Sequence, residues 1–239
     1  MSDLHDLRGC LDRLTDNIMF GLHQRSELPV NNKSFQRGAF SLNYDLLGWD
    51  PSEYGELSRV EFALLLMEDA YCREGRYNFI DQYPIMRPEP LPPALNIKTP
   101  ATPFQLEPVR IDLREEFFSF YPGFINKLCP GGEDEFNYGL AADIDSRILL
   151  NSNERIHVGR FVAFVKEKDS PEILRFIGDD AALTDAITNI EREEKVINSA
   201  RRSATRFGLS EDLAEEYIKW IMNTTKLVEV SYLNKTHGA

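Results

Sequence analysis

Leucine and isoleucine recur every three to four positions through Leu4, Leu7, Leu11, Leu14, Ile18, Leu22 and Leu28. At that period side chains return to one face of a helix, so residues 4–28 are predicted helical. Asp3 stands where an N-cap belongs, and Pro29 stops the helix. The same spacing through Leu57, Val60, Leu64, Met67 and Tyr71 predicts a helix over 56–74, with Gly75 in the place of a C-cap glycine. A shorter helix is predicted around 112–127. Residues 139–167 run without proline and predict one long central helix, roughly 43 Å at about 1.5 Å per residue. Another covers 181–207, opened by Asp179 or Asp180 and closed at Gly208. The last runs from Ser210 to about Asn234, with Glu211 and Asp212 in its positive first turn. No strand-like alternation of useful length and no internal repeat is present. The pattern therefore predicts an all-α multi-helix bundle organised on a long central helix.

Between Pro84 and Pro108 this pattern fails, because eight of the 13 prolines fall there and remove amide donors that helix or sheet would need. Ile85, Met86, Leu91, Leu95, Ile97 and Phe104 give the stretch apolar groups to pin it onto a helical body. Residues 84–108 are thus expected to be an extended crossing inside one domain covering 1–239, not a linker between two.

Composition narrows the partners. Lys and Arg number 27 against 39 Asp and Glu, a net charge of −12, which disfavours nucleic acid and anionic membrane surfaces but leaves room for a small anion at a local basic site. Cys10, Cys72 and Cys129 form no CxxC pair and no disulfide framework, which is the cysteine usage of a reducing compartment. The polar, acidic start and the lack of any long apolar run point to a cytoplasmic chain without a membrane span.

No phosphate-binding or dinucleotide motif occurs, and Gly131 and Gly132 read as a turn. His5, His23, His157 and His237 lack metal-ligand spacing, and Asp179 and Asp180, which with Asp185 would be the candidate cation ligands, are better explained as helix caps. Neither metal nor cofactor is expected. Arg25 reads as a structural ion-pair residue and His157 as a helix-packing histidine.

The remaining polar positions are more informative. Arg155 and Lys166 are eleven residues apart, which on one continuous helix brings both within roughly 20° of the same face. Asn189 and Glu193 form an i,i+4 pair, as do Thr225 and Glu229, and Arg8 gives the first helix a cation. Such pairs are also common on solvated helix faces, so these residues taken alone support an anion pocket within a helical bundle and no particular reaction.

Several segments carry a more specific likeness. Leu7-Arg8 through Phe20 with Gln24-Arg25-Ser26, Asn137-Tyr138-Gly139, Glu154-Arg155 through Ala163 with Lys166, Ile187-Thr188-Asn189 with Glu193, and Thr225 through Val230 resemble, in order and spacing, the all-helical chorismate mutases of fungi and plants. That resemblance implies a Claisen rearrangement of chorismate to prephenate in aromatic amino-acid biosynthesis, a pericyclic step that needs no nucleophile, metal or cofactor. It implies that Arg8 and Arg155 clamp the two carboxylates of the substrate. Lys166 and a protonated Glu229 would stabilise the ether oxygen, Glu193 would accept the ring hydroxyl, and Asn189 and Thr225 would support them. A homodimer is implied as well. The alternative is an inactive helical binding or regulatory protein that keeps the fold; retention of both acids and all three cations weighs against it. In the family an arginine pair and the start of the central helix bind aromatic amino-acid effectors. Here the pair reads Gly75-Arg76, and although Asn137 and Gly139 persist, Leu140 and Asp143 replace hydroxyl-bearing residues, implying a degenerate effector site.

Overall fold

The computed structural model describes residues 4–78, 83–87, 90–94 and 106–238. Within them lie nine α-helices and no strand: α1 (Leu4–Ser26), α2 (Pro51–Tyr54), α3 (Arg59–Arg73), α4 (Arg114–Leu128), α5 (Tyr138–His157), α6 (Gly159–Asp169), α7 (Asp180–Ile187), α8 (Ile190–Phe207) and α9 (Glu211–His237). Helix α1 packs against α5 and α8, α5 against α3 and α9, and α9 against α6 and α8. The ends of the chain therefore meet in one bundle. Ile18 and Leu22 of α1, Leu64 and Leu65 of α3, Ile148 and Leu149 of α5, and Tyr217 and Ile221 of α9 form its buried centre. Phe120 of α4 stacks on Trp220 of α9 with ring centroids 4.5 Å apart.

Local chemistry sets the boundaries. Asp3 lies outside the described residues, as does much of the proline-rich crossing, including Leu95, Ile97 and Phe104. Ser58 and Glu61 form a reciprocal capping box, so α3 begins at Arg59 and not at 56. The part of the crossing at 83–87 is neither helix nor strand, as the prolines lead one to expect, but it bends at Ile85 and Met86 where an extended path was expected, and both side chains are buried. Glu68 of α3 fixes it by accepting the backbone N–H groups of Ile85, Met86 and Arg87 at 2.5, 2.9 and 2.9 Å. Asp179 caps α7 and Ser210 caps α9, which continues to His237, beyond the predicted end.

Two predicted helices are each divided. The central one breaks at Val158: Phe161 N–H donates to Val158 O three residues back at 3.0 Å, and Arg160 Nε donates to His157 O, the acceptor a continuous helix would offer Phe161. The break lies where α6 meets α9. A Cβ on Gly159 would fall 2.8 Å from Thr225 Cγ2 and 3.2 Å from Thr225 O, so glycine permits this close approach. The predicted 181–207 helix is divided at Thr188-Asn189, because the Asn189 side chain accepts the Arg192 N–H at 2.9 Å and starts α8 as its N-cap.

Arg25 and His157 behave as the sequence reading expects. Arg25 is wholly buried, donates to Asp145 Oδ1 at 2.8 Å and to the carbonyls of Pro29 and Val30, and so ties the end of α1 to α5. His157 is buried edge-to-face against Tyr83, and burial beside Arg160 and Arg110 pushes its imidazole well below the ordinary histidine range. It is neutral and structural.

Candidate active site

A cavity of about 210 Å³ opens between α1, the α5–α6 joint, the start of α8 and the middle of α9. Leu7, Leu11, Val162, Ile187, Val196 and Met222 supply its apolar wall. All seven residues singled out for the reaction line it: Arg8, Arg155, Lys166, Asn189, Glu193, Thr225 and Glu229. They come from four segments of the chain. Arg192 and Lys226 line it too, so five cations face two carboxylates within a chain of net charge −12. The cavity is locally positive.

Arg155 sits in the last turn of α5 and is buried. Its Nε donates to Thr15 Oγ1 at 2.9 Å, and that hydroxyl donates to Leu11 O at 2.8 Å. The chain of bonds sets the plane of the guanidinium, and its two terminal nitrogens have no carboxylate partner among the described residues. Burial pulls the group down to about 10, with Asp12 opposing and Arg192 adding to the fall; it stays charged at neutral pH. A buried guanidinium with no carboxylate in direct contact is stabilised by an incoming anion.

Lys166 projects from α6, one helix after Arg155, so the two reach one cavity across a joint and not from one face of a continuous helix. Its ammonium donates to Glu229 Oε2 at 2.6 Å and to Ile187 O at 2.8 Å. Glu229 is buried on α9, and desolvation raises its carboxyl above the ordinary range, with Lys166 pulling the other way.

Three supporting residues differ in detail from their sequence reading. Asn189 is not half of an i,i+4 helical pair; it is the cap of α8, with its Oδ1 committed and its amide NH₂ left to donate. The Thr225 hydroxyl donates to Ile221 O at 2.7 Å, so it offers a ligand its lone pairs. Glu193 is paired with Lys226 at 2.8 Å. Arg8, on the exposed face of α1, forms the rim.

Sequence reasoning did not single out Thr15, Arg192 or Lys226. Arg192 follows Asn189 by three residues and Lys226 precedes Glu229 by three, so each shares a helix face with a residue already chosen. Thr15 gives no comparable sign, because its role depends on where Arg155 arrives from 140 residues away.

The residues expected at an effector site are not gathered in one chain. Arg76, just past α3, pairs with Glu154 at 2.6 Å near the end of α5. Asn137, Gly139, Leu140 and Asp143 lie at the other end of that helix, roughly 20 Å away at about 1.5 Å per residue. Asn137 donates to Asp134 and Asp143 pairs with Arg147. No group of three or more metal-type ligands occurs among the described residues, and none of their helices is long and apolar enough to cross a membrane.

Residues 137–230 match the family model of chorismate mutase type II. The chorismate mutase of Schizosaccharomyces pombe is 27% identical over 247 residues, covering 96% of this chain and 94% of the relative. The crystal structure of the Zea mays chloroplast chorismate mutase superposes with a TM-score of 0.83 at 29% identity, covering 99% of this chain and 96% of that one. The Aro7p chorismate mutase of Candida albicans, solved in complex with L-Trp, gives a TM-score of 0.85 at 24% identity, covering 98% and 91%.

Proposed function

Since the chain belongs to the all-helical chorismate mutases, we propose that its positive cavity is where chorismate rearranges to prephenate. The observation that carries this reading is the Lys166–Glu229 pair, set 2.6 Å apart in a cavity that also holds buried Arg155, which has no ion-paired carboxylate among the described residues. The reaction breaks an ether carbon–oxygen bond while a carbon–carbon bond forms between the enolpyruvyl arm and the ring. No atom of the protein needs to bond to the substrate. The protein contributes conformation and charge: Arg155 and Arg8 hold the two carboxylates so that the arm folds over the ring, a positioning effect. Negative charge develops on the ether oxygen as its bond breaks. Lys166, and Glu229 when protonated, donate to that oxygen, and the apolar wall keeps these contacts strong by excluding water. Glu193 accepts the ring hydroxyl, and Asn189 and Thr225 complete the polar lining.

Three finer readings accompany it. The chain acts as one domain over 1–239 in a compartment that keeps Cys10, Cys72 and Cys129 reduced, the cytoplasm. It pairs with a second copy through α3 and α5, whose neighbouring surfaces expose Leu66 and Leu140, next to the wholly exposed Phe136. Its effector site is weak, since Arg76 faces Glu154 and Asp143 brings a carboxylate. Incubating the purified protein with chorismate and following the loss of its ultraviolet absorbance tests the main reading; a rate no faster than that of chorismate alone defeats it.

A further inference from the structure

The charges lining the cavity sort into two groups. Both carboxylates are matched by lysines, Glu229 by Lys166 at 2.6 Å and Glu193 by Lys226 at 2.8 Å. The three arginines, Arg8, Arg155 and Arg192, have no carboxylate partner among the described residues. Two of them, Arg8 and Arg155, suffice for a substrate with two carboxylates, and Arg192 is a third guanidinium at the same cavity.

Its position is fixed by the local fold. Arg192 lies in the first turn of α8, and its backbone N–H is bound by the Asn189 cap at 2.9 Å, which holds the start of the helix at the cavity. The side chain is half-buried and lines the cavity close enough to Arg155 for the two cations to repel. Like charges in a partly desolvated space are unfavourable while the site is empty. An anion placed between them relieves that repulsion and forms charge-assisted hydrogen bonds to both. A residue kept only for packing would gain nothing from a guanidinium there, and the acids close by in the cavity wall are already taken.

We propose that Arg192 is a substrate-binding residue, a third guanidinium that grips a carboxylate of the substrate together with Arg155. This rests on the function proposed above and adds a contact to it. Because a carboxylate is present in chorismate and in the transition state alike, Arg192 contributes mainly uniform binding, which appears in KM more than in kcat. Its charge also makes substrate capture more sensitive to salt.

The test compares wild type, R192Q and R192K in chorismate turnover at low and high KCl, with thermal melting of each. R192Q is expected to raise KM about tenfold or more with kcat within about threefold, the loss expected for a charge-assisted contact. R192K, which keeps the charge but not the planar fork, restores only part of that loss. KM of R192Q rises less steeply with KCl than that of wild type, and its Tm is unchanged or higher because Arg155 loses a repelling neighbour. A KM within about twofold of wild type, or a lowered Tm with kcat and kcat/KM falling together, overturns the assignment while leaving the reaction itself in place. Wild-type protein that does not turn over chorismate overturns the function, and this contact with it.

Discussion

The ammonium of Lys166 on α6 and the carboxyl of Glu229 on α9 lie 2.6 Å apart, and the same ammonium donates to the carbonyl of Ile187 at the end of α7. Lys166 is therefore held by two acceptors from different elements, and its orientation is set before a ligand arrives. A preorganised donor of this kind loses its contribution in full when truncated. Lys166→Ala is expected to lower kcat/KM by about two orders of magnitude or more with the helical circular dichroism intact. Near-wild-type turnover at saturating chorismate would show that Lys166 does not act at the ether oxygen.

In the proposed reaction Glu229 can donate to the ether oxygen only when protonated, and its buried carboxyl is raised above the ordinary range. A raised pKa means that the protonated, donating form is complete at low pH and is lost as pH rises through the raised value. Activity should fall on the alkaline side. Glu229→Gln supplies a permanent donor and flattens the profile. Lys166→Ala removes a charge that pulls the carboxyl down, so the residual activity of that variant should persist to higher pH. The measurement is kcat against pH; a wild-type profile level from about pH 5 to 8, the range above the reference value for glutamate, excludes this role.

The helices were legible because each buries an apolar stripe, and the caps because Ser58, Asp179 and Ser210 are residues whose side chains bind a first-turn N–H. The two divisions were not. Periodicity passes through Val158 and Thr188 without interruption; the first break coincides with the close approach of Gly159 to Thr225, 66 residues away in the chain, and the second comes from Asn189 taking a backbone donor. Helix spacing picked out the seven expected cavity residues, family likeness gave them roles, and the structure puts them around one space. Partners such as Thr15 for Arg155 depend on how α1 meets α5, which no local pattern encodes.

Asp145 and Arg25 are both wholly buried, and the carboxylate also accepts the Tyr121 hydroxyl at 2.8 Å. Removing one member of such a pair leaves the other charge buried and uncompensated. Asp145→Ala is expected to cost about 3–5 kcal/mol in chemical denaturation, while enzyme still folded at low temperature keeps its kcat because the pair lies outside the cavity. A loss below about 1 kcal/mol, the scale of an exposed pair, would contradict the structural role assigned to Arg25.

Gly159 couples stability to the site. An alanine there puts its Cβ against Thr225 Cγ2 and lies 3.4 Å from Glu229 Cγ, so α9 must give way along the stretch that carries both residues. Gly159→Ala is expected to destabilise by about 1–3 kcal/mol and to lower kcat/KM as well. Adding Thr225→Ser removes the methyl that clashes. The double variant should therefore melt above Gly159→Ala alone, which is non-additive coupling between touching residues. Additive losses would mean that the α6–α9 contact is not what requires glycine.

Effector response is expected to be weak. Gly75 takes φ +75, the left-handed conformation that glycine adopts freely, and it leaves Arg76 as the one cation of the expected pair. Arg76 is engaged with Glu154 at 2.6 Å and stacks over Tyr71, whereas an amino-acid effector needs a cation for its carboxylate. At the other end of α5, Asp143 is paired with Arg147, and Leu140 presents a half-exposed apolar side chain where a hydroxyl would help bind an ammonium. Tyrosine should inhibit, and tryptophan activate, weakly or not at all. Titrating either to millimolar concentration at sub-saturating chorismate measures this directly. A several-fold change in rate, or a sigmoidal substrate curve that tryptophan makes hyperbolic, would establish that Arg76, Asn137 and Gly139 still bind an effector despite these changes.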